Sequence, residues 1–134
     1  MVTPDMLYWR PRSLANSMTP FSCGEFILRS AAMVEQTFGG ITTRLWDDPF
    51  EWTLPEKLSD IASVSTYLNE VDATRRNGMA FFTSDNDLLR EIPAPEIVLP
   101  IGTILLDTLA RAQHYQGRAF AIFQMISDTR PPRL

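Results

Sequence analysis

Hydrophobic positions that recur every three or four residues predict three long helices, with proline-containing segments between them. The longest helix is predicted to run from Pro100, a residue favoured in a first helical turn, to about Ile126. One face of this helix is apolar along its whole length and consists of Ile101, Ile104, Leu105, Thr108, Ala112, Tyr115, Ala119, Ile122 and Ile126. Arg111 falls on the same face, and it needs a partner there because an unpaired buried charge is very costly.

The first helix is predicted to begin after Ser22, a good N-cap residue, and Glu25 three residues later completes a capping box. Its apolar stripe consists of Phe26, Ile27, Ala31, Val34 and Phe38. Gly39 and Gly40 are expected to end this helix, since glycine is common just beyond the last helical turn.

The second helix is predicted to begin near Ser59. Its apolar positions are Ile61, Val64, Leu68 and Val71. It either continues to Phe82 or breaks at Gly78, because glycine inside a helix costs about 1 kcal/mol relative to alanine. A short turn is expected from Ser84 to Arg90, and little of the chain has the pattern of a strand. These elements favour an all-α fold, an up-and-down helical bundle built around three long helices.

The linkers hold much of the aromatic content. Trp9 precedes the first helix, and Trp46, Phe50 and Trp52 follow it. We expect these rings to pack as lids over the ends of the bundle, because aromatic side chains bury large apolar areas.

Composition and charge narrow the classes of function. The 134 residues are enough for one domain with its own core, spanning residues 1–134. A net charge of −4 and scattered arginines argue against nucleic-acid binding. The single cysteine, Cys23, excludes an internal disulfide and is compatible with a reducing compartment. No apolar run approaches the ~20 residues that cross a membrane, and the first residues lack a signal-peptide pattern. A cytoplasmic location without a membrane partner is expected.

Three segments occur in an order that resembles a known family. They are Tyr8–Pro11, Ser22–Glu35 and Thr108–Phe120, in which Gly117 closes the motif. Together they resemble the DinB-like superfamily of helical-bundle proteins, which includes the YfiT-type metal-dependent hydrolases and thiol-dependent transferases. The resemblance covers roughly residues 6 to 126 and implies a four-helix bundle.

The resemblance also implies where a metal would be bound. Members of the family typically hold a divalent metal through three histidines, two of them spaced four residues apart on the last helix. The corresponding positions here are Arg29, Arg111 and Tyr115, and none is a histidine. His114 matches a neighbouring histidine that is not a usual ligand. We therefore expect no metal and no other cofactor.

A second departure from the family concerns the first helix. Only Met1 to Leu7 precede the Trp-Arg-Pro turn, too few residues for a long helix. The apolar groove that this leaves would be a liability in a monomer, so a homodimer is expected in which another chain covers it. The alternative is that the chain begins late relative to the natural protein.

Two hypotheses remain open for the candidate ligand-binding residues Arg29, Arg111, Tyr115 and His114. Either the arginines and the phenol form a pocket for a small anionic ligand between the helices, or the arginines pair with carboxylates in a polar core network. Those carboxylates would be Glu25, Glu35 or Asp72.

The hypotheses about function follow from the same residues. The leading one is a metal-free DinB-like protein that acts through dimerisation or anion binding; the alternative is a metal-dependent or thiol-dependent transferase or hydrolase. His114 is expected at a rim rather than as a general base, and Cys23 as a small buried residue rather than a nucleophile.

Overall fold

The computed structural model describes residues 2–12, 20–48 and 53–130. The helices are α1 (Pro4–Leu7), α2 (Cys23–Thr43), α3 (Ile61–Met79) and α4 (Ile101–Ile126). A short 3-10 helix (Asp85–Leu89) and an antiparallel hairpin of strands β1 (Glu91–Ala94) and β2 (Ile97–Pro100) join α3 to α4. The described part of the chain is therefore mostly helical, with one small sheet.

The start of α2 confirms the predicted capping box. The hydroxyl of Ser22 accepts a hydrogen bond from the backbone N–H of Glu25, and the backbone N–H of Ser22 donates to Glu25 Oε2 at 2.8 Å. Arg10 also binds the Glu25 carboxylate, with Nη2 2.5 Å from Oε1. Two backbone N–H groups at the start of α2 thus find their partners within residues 22–25. The sequence of this short segment was therefore enough to predict where the helix begins.

The predicted end of α2 is wrong, because the helix passes through Gly39 and Gly40 and ends at Thr43. Arg44 follows in the left-handed conformation (φ 63°) and its backbone N–H bonds to the carbonyl of Gly40 at 3.0 Å. Gly40 allows a close packing contact and does not end the helix. A Cβ atom there would lie 2.3 Å from Cδ2 of Trp46, so only glycine admits the indole. Trp46 packs against the C-terminal part of α2, as expected for a lid. Phe50 and Trp52 lie outside the described residues.

Helix α3 begins with Asp60 as its N-cap, one residue after the predicted start, and ends at Met79, short of Phe82. Gly78 does not break it. A Cβ atom at Gly78 would lie 2.3 Å from the ring of Phe38, so glycine allows α3 to approach α2 closely at this point. The local cost of glycine in a helix is offset by this packing.

The hairpin was not predicted from the sequence, and it limits the all-α description. Ile92 of β1 is almost completely buried (1% exposed), and it packs in one cluster with Ile41 of α2 and with Ile101 and Ile104 of α4. Helix α4 starts directly after β2, so Pro100 is its N-cap residue and not its first helical residue.

Helix α2 lies at the centre, and its neighbours run in different directions. Phe26, near the start of α2, packs against Ala119, while Ile41 near its end packs with Ile104, so α4 is antiparallel to α2. Helix α3 is parallel to α2, because it contacts the start of α2 near Val64 and the end of α2 at Gly78. The predicted up-and-down order is therefore wrong.

The parallel pair requires a connection that returns along the bundle. Trp46 lies against the C-terminal part of α2, whereas the backbone carbonyl of Leu58 accepts a hydrogen bond from the Tyr8 hydroxyl beside Gly24, at the N-terminal end. The described parts of the connection therefore lie at opposite ends of α2, with Trp46 at the C-terminal end and Leu58 at the N-terminal end. Helix α1 is a single turn, and its Leu7 is buried against the same end of α2.

Candidate functional site

Arg111 is not in the core, contrary to the prediction from the helical pattern. Its side chain is 62% exposed, and its Nε lies 2.9 Å from Oδ2 of Asp107, one turn earlier on α4. The pattern placed Arg111 on the correct side of the helix, but a cavity and not a packed neighbour lies opposite this turn. The polar core network proposed for Arg111 is therefore wrong.

The carboxylates that were expected to pair with the arginines have other partners. Glu25 binds Arg10, Glu35 accepts a hydrogen bond from the Tyr67 hydroxyl at 2.6 Å, and Asp72 forms ion pairs with its own helix neighbours Arg75 and Arg76. Burial raises the pKa of Tyr67 and the Glu35 carboxylate raises it further, so this bond holds α3 to α2 as a neutral phenol on an acceptor.

The other three candidate residues lie along a row of aromatic rings that reaches α4 one turn after Arg111. The Arg29 guanidinium lies 4.1 Å from the centroid of the Phe21 ring, and Phe21 meets Phe26 edge to face at 5.6 Å. Phe26 stacks on Tyr115 at 6.2 Å, and His114 meets the edge of Tyr115 at 5.7 Å. The structure therefore connects Arg29, Tyr115 and His114 through rings, and it places Arg111 apart from them in the cavity wall.

A cavity of about 690 Å³ lies between α2, α4, the hairpin and Trp46. Its wall combines apolar side chains with a few polar ones, and the polar ones include Gln36, Thr37, Glu96, Asp107 and Arg111. Trp46 is fixed in this wall because its Nε1–H donates to the carbonyl of Pro93 at 3.0 Å. Sequence analysis missed this site because the hairpin that forms one side of it was not predicted.

Two buried hydroxyl groups line the same cavity. Oγ1 of Thr37 on α2 lies 2.5 Å from Oγ1 of Thr108 on α4, and both residues are at most 9% exposed. The Thr108 hydroxyl also donates to the carbonyl of Ile104 at 2.8 Å. The two helices therefore meet at a buried polar contact, and such contacts hold helix register because each buried polar group needs its partner.

The two residues considered for nucleophilic chemistry lie outside the cavity. Cys23 is a buried free thiol packed against Ala119, and burial raises its pKa to about 11, so it is protonated at neutral pH. The prediction of a small buried cysteine is confirmed. His114 is exposed, as expected for a rim residue.

Among the described residues, no group of three histidine, cysteine, aspartate or glutamate side chains is arranged to hold a metal ion. Within the same residues, no helix is both long and apolar enough to cross a membrane. Comparison of the chain with protein-family models, with curated proteins and with solved structures found no match in any of the three. The resemblance to the DinB-like superfamily therefore stays a prediction.

Proposed function

We propose that this chain is a binding protein that holds a small molecule in the cavity between α2, α4 and the hairpin. The observation that carries this proposal is the cavity itself. Its volume of about 690 Å³ falls in the range of ligand sites in proteins, roughly 300–1,000 Å³. Such sites are mainly apolar and contain a few fixed polar groups, which here are the hydroxyls of Thr37 and Thr108.

The residues around the cavity support binding more than catalysis. The cavity-lining residues include neither of the chain's most reactive side chains: His114 belongs to the aromatic row, and Cys23 is buried and protonated. Nucleophilic chemistry needs an activated nucleophile, and neither Cys23 nor His114 supplies one to this cavity. A ligand in this cavity would meet hydroxyl, amide, carboxylate and guanidinium groups that are suited to orienting it.

Titration with a library of small fragments, followed by ¹H–¹⁵N NMR, tests the proposal. We expect some fragments to shift the backbone amides of Thr37, Ile97 and Thr108 together. Gln36→Trp fills the cavity and should abolish these shifts, whereas Asn77→Trp, at an exposed position of α3 outside the cavity, should preserve them. Equal behaviour of the two variants, or shifts that fall elsewhere, would refute a ligand site in the cavity.

A small anionic ligand at the aromatic row is a second candidate. Two guanidiniums lie over adjacent rings there, Arg29 at 4.1 Å from the Phe21 centroid and Arg118 at 5.7 Å from that of Phe26. Guanidinium groups form strong charge-assisted bonds with carboxylates and phosphates. In the same NMR experiment, inorganic phosphate should shift His114 and Tyr115 and leave Thr37 unchanged if this candidate is correct.

We also propose self-association, and a different surface supports it. On α4, Leu106 and Leu109 are 69% and 57% exposed, and by helical spacing they share a side with Phe120. Phe120 borders an apolar groove of about 330 Å³ between α3 and α4, which Leu68 lines from the other side. The groove and the two leucines expose apolar surface on the same side of α4, and exposed apolar surface of this kind marks interfaces.

A further inference from the structure

The directions of the hydrogen bonds at the cavity floor can be deduced from the two threonines. The carbonyl of Ile104 can only accept, so Thr108 donates its single hydroxyl proton to it at 2.8 Å. Thr108 therefore has no proton left for its partner, and Thr37 must be the donor in the 2.5 Å contact between the two hydroxyls. Both protons are used inside the protein. What Thr37 still offers to the cavity is acceptor lone pairs.

Among the charged side chains of the wall, carboxylates outnumber cations. The indole N–H of Trp46 is occupied by the carbonyl of Pro93. Arg111 is the single cation among the described lining residues, and its Nε is paired with Asp107. Glu96, at the hairpin turn, adds a second carboxylate to the same wall. Two carboxylates against one guanidinium give the cavity a net negative wall.

We infer that the cavity takes a protonated organic amine with an apolar body, an inference that rests on the function proposed above. The ammonium group donates to the Thr37 hydroxyl, and the carboxylates of Asp107 and Glu96 compensate its charge. Ammonium is the chemical complement of this wall because it has three donors and no acceptor. The apolar body packs against Met33, Ile97 and Ile104, which line the rest of the cavity.

Three probes that share one ring system separate the effect of charge from that of the apolar body. Tryptamine is a protonated amine at pH 7, tryptophol is the neutral alcohol, and 3-indolepropionate is the anion. We expect tryptamine to bind about tenfold more tightly than 3-indolepropionate, because the carboxylates attract the first and repel the second. Affinities are measured by NMR titration of the Thr37 and Thr108 amides.

Variants assign the effect to particular side chains. Glu96→Gln removes one charge from the exposed hairpin turn and should weaken tryptamine about two- to fivefold. Glu91→Gln removes an exposed carboxylate from the same hairpin outside the cavity and should change nothing. Thr37→Val should weaken tryptamine about tenfold, whereas Thr37→Ser keeps the hydroxyl and should retain the affinity. Circular dichroism melts confirm that each variant is folded.

The outcomes distinguish the inference that the cavity binds an amine from the proposed function that it binds a small molecule at all. Binding of 3-indolepropionate at the cavity amides as tight as that of tryptamine would overturn the amine inference but leave the cavity as a ligand site. An equal effect of Glu96→Gln and Glu91→Gln would overturn it as well. Failure of all three probes to shift the cavity amides would overturn both the inference and the proposed function.

Discussion

At the scale of single residues, two glycines within long helices have opposite surroundings. A Cβ atom at Gly40 in α2 would lie 2.3 Å from the nearest ring atom of Trp46, and that ring is held by its hydrogen bond to Pro93. A Cβ atom at Gly117 in α4 would meet nothing within 4 Å. The two positions therefore separate the packing role of glycine from its effect on helix formation.

We predict that Gly40→Ala lowers the free energy of unfolding by about 1–3 kcal/mol, because the added methyl group displaces the indole. Gly117→Ala should instead raise it by up to about 1 kcal/mol, since alanine favours the helix and no neighbour is disturbed. Urea unfolding followed by circular dichroism measures both. Equal stabilisation by the two substitutions would show that Trp46 does not restrict residue 40.

Residue contacts could be predicted from the sequence only where the partners are close along the chain. Ser22 and Glu25 are three residues apart, and their capping box was predicted. The Tyr67–Glu35 bond joins residues 32 positions apart, and no local pattern indicates it. Arg111 is an intermediate case. Helical spacing predicts its side of α4 correctly, but its exposure depends on the cavity that lies opposite this side, which the sequence does not indicate.

At the scale of secondary structure elements, the hairpin is the part of the fold that could not be predicted from the sequence. Each strand has only four residues, and Pro93 and Pro100 lie within them, so the alternation typical of a strand is too short to detect. The hairpin packs on the helices mainly through the buried Ile92, which joins the cluster between α2 and α4, and the half-buried Ala94 and Leu99 pack against the same cluster. The contacts of Ile92 with α2 and α4 are tertiary, so no local pattern in the sequence indicates them.

We predict that Ile92→Ala lowers the free energy of unfolding by about 2–4 kcal/mol, because it leaves a cavity beside Ile101 and Ile104. Ile97→Ala is the matched control on the other strand, where the side chain is 60% exposed, and it should cost at most about 0.5 kcal/mol. Thermal unfolding by calorimetry compares the two. Similar losses for both would mean that the hairpin is not anchored through Ile92.

At the scale of the whole molecule, helix content was predictable but helix direction was not. Periodicity located α2, α3 and α4 because each buries one or more faces. Their directions depend on the connection between α2 and α3, which carries no periodic pattern. Contacts between residues far apart in sequence, such as that of Tyr8 with Leu58, hold its described part in place. A long crossing connection is one of the known ways to join bundle helices, and sequence alone does not distinguish it from a short turn.

We predict that the protein is a dimer and that Leu109→Glu shifts it to a monomer, because a charge in the centre of the apolar surface of α4 is costly to bury. Met125→Glu is the control, since Met125 is 63% exposed and by helical spacing lies on a different side of α4 from Leu106 and Leu109. Sedimentation velocity over a range of concentrations gives the mass of each. A monomeric unmodified protein at every concentration would contradict the self-association proposal.

The parallel direction of α2 and α3 brings two helix N-termini, and so the positive ends of two helix dipoles, to the same end of the molecule. Each is capped by a carboxylate. Burial alone would raise the pKa of Glu25, but hydrogen bonds from Ser22 and Arg10 bring it below its ordinary value, and the Ser63 amide lowers the pKa of Asp60. A carboxylate whose pKa is lowered in the folded state stabilises the fold at any pH above its ordinary pKa. This stabilisation is lost as the pH falls through the lowered pKa. As the pH falls through these lowered pKa values, the starts of α2 and α3, which lie at one end of the molecule, both lose a carboxylate that holds them.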